Sequence, residues 1–104
     1  MILKNMMRSL TALLIALISA QGAMADPGVA KKSCAACHAI ETKLLGPAFR
    51  DVAAKYRGVS GAEAFLARKI RAGSSGVWGP TAMPPSTQIS ERDARILAQW
   101  VLGS

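Results

Sequence analysis

Five consecutive residues, Cys34-Ala35-Ala36-Cys37-His38, restrict this chain more than any other stretch. Two thiols three positions apart lie about one helical turn from each other. Both can therefore add to the two vinyl groups on one side of a porphyrin. An imidazole directly after the second thiol is held beneath the ring, where it can take an axial position on iron. The spacing is that of covalent haem c attachment. A cysteine pair of this kind also occurs as a redox dithiol, a zinc half-site or a structural disulfide. A dithiol enzyme wants a strand–turn–helix context, and nothing alternating or β-branched precedes Cys34. Zinc needs about four ligands, and His38 is the sole histidine left to join the two cysteines.

The start of the chain reads as an export signal. Lys4 and Arg8 form a positive segment, residues 10–18 (LTALLIALI) are apolar apart from Thr11, and Ala23-Met24-Ala25 is a small-x-small cleavage pattern. The apolar run is shorter than the roughly 20 residues of a spanning helix. Residues 1–25 are thus read as a cleaved signal peptide and 26–104 as one domain, with no stable membrane insertion after cleavage. Removing 25 of the 104 residues leaves 79, and takes Lys4 and Arg8 from the 13 basic residues and none of the six acidic ones. The formal charge falls from +7 to +5. Export places the cysteines on the side of the membrane where the redox environment permits their chemistry. The remaining positive charges form no block, which argues against nucleic acid and fits steering toward an acidic protein partner.

So short a chain buries only a marginal core by itself. The expected elements are short helices. Residues 28–34 form the first, leading into the cysteines. The second spans 48–57, with Phe49, Val52, Ala53 and Tyr56 as an apolar stripe, an Asp51–Lys55 pair on its exposed side and Gly58 at its end. Ser60 and Glu63 match a capping box that opens the third helix, whose buried face is Ala62, Phe65, Leu66 and Ile70 and whose stop is Gly73. Residues 74–87, rich in glycine and proline, read as a long irregular loop of the functional kind. The last helix starts at Ser90 as N-cap and buries Leu97, Trp100 and Val101, with Glu91 spaced to pair with Arg95 and Trp100 packed toward the first helix. No stretch alternates as a strand. The fold class is all-α, three to four short helices wrapped around one covalently attached haem.

Elimination supplies the second iron ligand. Met1, Met6, Met7 and Met24 leave with the signal, so Met83 is the one thioether that remains, in a loop stiffened by Pro84-Pro85. Iron is then held by His38 and Met83. The carbonyl of Pro47 is the expected acceptor for the far nitrogen of His38. Lys69 and the indole N–H of Trp78 are the candidate donors to the haem propionates.

The stretches CAACHAIETKLLGPAFRDVAAKYRG, GSSGVWGPTAMPP and ILAQWVLGS resemble the small bacterial class I cytochromes c of the c-551/c-552 type. The resemblance covers nearly the whole mature chain. It implies a periplasmic, monomeric electron carrier that is not an enzyme, with Cys34 and Cys37 as thioether sites, His38 and Met83 as axial ligands, and Pro47, Lys69 and Trp78 at the positions that hold the histidine and the propionates. It implies redox protein partners: a cytochrome complex or cupredoxin as donor, and a nitrite reductase, oxidase or peroxidase as acceptor. Ser86 stands where many relatives carry an asparagine that hydrogen-bonds the methionine sulfur, which implies a less constrained Met83.

Overall fold

The computed structural model describes residues 28–104; the signal peptide expected over 1–25 lies outside them. The chain forms α1 (Gly28–Cys34), α2 (Phe49–Tyr56), α3 (Ala62–Ala72), β1 (Ser74–Gly76), β2 (Gly79–Met83) and α4 (Glu91–Leu102).

The core lies where α4 packs on α2 and α3. Helix α4 buries Ala94, Leu97, Ala98 and Val101, the i, i+3, i+4, i+7 face of an amphipathic helix. Ala94 and Ala98 are fully inaccessible, and their small side chains let the neighbouring helices come close. Phe49 and Val52 of α2, Leu66 and Ala67 of α3, and Ile89 just before α4 complete the cluster. Phe65, Tyr56, Ile70 and Trp100 pack around it partly buried. Ser90 caps α4 by accepting the Asp93 backbone N–H at 3.1 Å, and Arg95 meets Glu91 at 3.9 Å, both at the spacings the sequence offers. The carboxyl end of α4 is tied back by Arg57, which donates to the carbonyls of Leu102 (3.0 Å) and Ser104 (2.7 Å).

Three local expectations are corrected. Ser60 does not cap α3: the N-cap is Gly61, in the left-handed region at φ 76°, without a side-chain cap bond. The Ala62 N–H is taken by the Val59 carbonyl in a preceding turn, so Ser60 falls one residue too early. Asp51 and Lys55 do not pair. Asp51 turns to Arg50 at 3.9 Å, while the Lys55 ammonium lies 5.8 Å from the Tyr56 ring and 5.5 Å from the Trp78 ring. Aromatic faces attract a cation more firmly than an exposed carboxylate holds it in water.

The third correction concerns residues 74–87. Part of this segment is a two-stranded antiparallel ribbon, with Ser74 opposite Met83 and Gly76 opposite Gly79. Its side chains are small and mostly exposed, so no apolar alternation marks it; backbone hydrogen bonds alone define the strands. The helical fold class stands, with this ribbon added.

Candidate cofactor-binding site

Helix α1 delivers Cys34 at its last position, and the backbone stays coiled beyond it. The N–H groups of Cys37 and His38 both bond the Cys34 carbonyl, at 3.1 and 3.0 Å. That single tight turn keeps two thiols and an imidazole together. Both cysteines are unbridged and partly buried. Burial pushes the Cys34 thiol above its usual range, a hydrogen bond from its own backbone partly offsets this, and the neighbouring Cys37 adds to it.

His38 is fixed from three directions. Its Nδ1 lies 2.7 Å from the Pro47 carbonyl oxygen. A carbonyl only accepts, so Nδ1 carries the proton and Nε2 keeps its lone pair for a metal. Phe49 stacks on the imidazole at a centroid distance of 4.8 Å and an interplanar angle of 16°. Behind Phe49, Trp100 makes an edge contact at 5.2 Å, and the Lys31 ammonium of α1 lies 4.7 Å from the Trp100 ring. The indole therefore joins α1 to α4, the place expected for it, but it is partly buried rather than part of the closed core.

Gly46 fills the third side. A Cβ there would collide with His38 Cε1 and stand 2.8 Å from Nδ1 and Nε2. The sequence marks Gly46 only as a turn residue before proline. In the fold its bare Cα lets the 44–47 loop lie against the imidazole, and its N–H bonds the Cys37 carbonyl at 2.8 Å.

Met83 ends β2 and is partly buried. Gly73 holds the segment. With φ 77°, it passes so close to the next segment that a Cβ would lie 2.6 Å from the Met83 carbonyl oxygen and 3.0 Å from Pro85 N. Just beyond, the Ser86 N–H bonds the Ile70 carbonyl at 3.1 Å. The stop signal of α3 is thus also the seat of the methionine segment, a role that no local pattern announces.

The two expected propionate donors sit in separate contacts. Trp78, in the turn of the ribbon and 39% exposed, faces Lys55 of α2. Lys69 lies over Phe65 on α3, 5.3 Å from its ring. Lys55 escaped the sequence reading because its spacing to Asp51 offered a simpler role.

These residues fit a haem c. The two thiols occupy one turn, the oriented imidazole presents Nε2, and a glycine replaces the side chain that would crowd it. Among the described residues no group of three or more His, Cys, Asp or Glu side chains converges, so the cysteine pair has no zinc-type donor set around it.

Comparison with known proteins agrees. The family profile described as cytochrome c oxidase, cbb3-type, subunit III matches residues 22–101. Cytochrome c-551 of Pseudomonas aeruginosa is 58% identical over 86 residues, covering 80% of this chain and 82% of that one. Cytochrome c-552 of Nitrosomonas europaea is 52% identical over 88 residues, covering 84% and 85%. The crystal structure of wild-type Nitrosomonas europaea cytochrome c552 superposes with a TM-score of 0.71, over 75% of this chain and 98% of that one. The chain belongs to the class I cytochromes c of the c-551/c-552 type, electron-carrying proteins whose cofactor is one covalent haem c, and Cys34 and Cys37 are the only cysteines it has to bear it.

Proposed function

We propose that this protein is a periplasmic, monomeric one-electron carrier, exported by a signal peptide cleaved after Ala25 and working without bond-making chemistry of its own. The observation that carries the reading is the His38–Pro47 contact of 2.7 Å, which leaves Nε2 as the free nitrogen of an imidazole that cannot turn. When bound, haem c supplies the ferric/ferrous couple. Every other part of the work falls to the chain. Cys34 and Cys37 would anchor the ring, and His38 and Met83 would ligate its iron. A thioether favours the reduced form and raises the potential. Lys69 and the Trp78 indole N–H donate to the propionates. With His38 and Met83 both committed to the iron, the chain would leave it no open site for a substrate. Among the described residues no helix is long and apolar enough to cross a membrane.

The partners are redox proteins: a cytochrome complex or cupredoxin as donor, and a nitrite reductase, oxidase or peroxidase as acceptor. Their contacts are small and transient, steered by the +5 formal charge of the mature chain. Replacing Met83 by alanine tests the reading. The variant is expected to lose the weak long-wavelength charge-transfer band of the ferric protein, to drop in midpoint potential and to bind carbon monoxide when reduced. An unchanged spectrum and potential would sink the assignment of Met83.

A further inference from the structure

Away from the cysteine turn, α3 and the first turn of α4 enclose an open groove of about 330 Å³, lined by Arg68, Arg71, Arg95, Glu91 and a floor that includes Ala64 and Ala67. None of these residues belongs to the site described above. Three guanidinium groups against one carboxylate make it strongly positive. Arg71 is held in place: its Nε donates to the Ile89 carbonyl at 3.1 Å, which leaves both terminal amino groups to bind something else. Among the described residues Arg68 has no hydrogen-bond or ion-pair partner. Among the described residues Arg95 pairs with Glu91 alone, at 3.9 Å with both side chains more than half exposed, a contact worth little in water.

We propose that this groove binds a free inorganic phosphate-type oxyanion. Planar guanidinium groups match tetrahedral oxyanions by paired, parallel hydrogen bonds, better than ammonium groups do. The small alanine side chains of the floor leave the space between the arginines open. At about 30 Å³ per liquid water, the groove takes a phosphate together with part of its hydration shell. Glu91 is the opposing group: it suits the positive start of α4 but repels an anion, and Arg95 partly neutralises it. Occupancy lowers the positive charge available for steering toward acidic partners, so the site links local anion concentration to association.

The test is a titration of the haem-loaded mature protein with sodium phosphate, at ionic strength held constant with chloride, followed by amide nitrogen–proton NMR. Saturable shifts are expected at amides of residues 64–72 and 91–95. Arg68→Gln is expected to weaken binding about tenfold, the size of losing a hydrogen bond to a charged group. Glu91→Gln is expected to tighten it. Neither residue touches the haem-binding turn, so an unaltered haem spectrum certifies both variants as folded. Shifts that spread over all basic residues without saturating, or equal affinity in wild type and Arg68→Gln, would overturn the proposal. So would binding to phosphatidylglycerol vesicles without any binding of inorganic phosphate.

Discussion

A single hydrogen atom decides the chemistry of the His38 turn. Gly46 carries no Cβ, and the imidazole occupies the space that one would fill. Gly46→Ala forces either the loop or the ring to move, and overpacking of this kind costs about 1–3 kcal/mol. The expected outcome is a lower denaturation midpoint of the haem-loaded protein together with a longer His38–Pro47 hydrogen bond, read from the chemical shift of the Nδ1 proton. A stability loss with that proton unmoved would mean that the loop alone had yielded. Phe49 illustrates a second residue-scale point. Its place in the α2 stripe marks it as core, and it is buried, but one face of the ring also serves as a wall for the imidazole. Periodicity reports that a side chain is inside; it does not report what lies against it.

Between elements, two contacts of the ribbon with the helices each make a prediction. Lys55 bridges α2 to the ribbon turn through the faces of Tyr56 and Trp78. Each such contact at an exposed site contributes about 0.5–1 kcal/mol. Lys55→Met keeps the aliphatic stem and removes the charge, whereas Lys55→Arg keeps both. We expect Lys55→Met to increase solvent exchange of the Trp78 indole N–H, with Lys55→Arg close to wild type. The second point is Gly73, where α3 hands over to β1. Gly73→Ala adds a left-handed strain to a clash with the Met83 carbonyl. The long-wavelength ferric band should therefore be lost at lower denaturant than the helical circular dichroism. Coincident loss of the two signals would show that the methionine segment is not separately seated there.

For the whole molecule the question is how so few buried residues hold one fold. Leu97 is the only large side chain among the described residues with essentially no exposure, and Ile40, Leu44, Leu45 and Val59 are about half exposed or more. A core of this size is marginal for a chain of this length, and a covalently held apolar ring is the natural supplement. The haem-free mature chain is expected to lack native far-UV circular dichroism, and a folded haem-free form would contradict this. Because the basic charge is spread over the surface, electron-transfer rates with an acidic partner should fall as salt rises.

The sequence by itself determined the cofactor, the order of the helices and the general direction in which α2, α3 and α4 turn their apolar stripes, though Phe65, Ile70 and Trp100 end only partly buried. Those follow from local rules: covalent spacing at Cys34 and Cys37, and apolar periodicity at Phe49, Leu66 and Leu97. Tertiary structure decided the rest. The ribbon at 74–83 is held by backbone bonds between residues without an alternating pattern. Gly61 displaced Ser60 as a cap because an earlier turn took the helix's first amide. Lys55 left Asp51 for the ring of its chain neighbour Tyr56 and for that of Trp78, which the fold brings to it from 23 positions further along the chain. Gly46 and Gly73 read as ordinary punctuation until the imidazole and the methionine segment are set beside them. Local spacing encodes what a residue can do with its near neighbours, and close approach between distant segments exists only once the chain has folded.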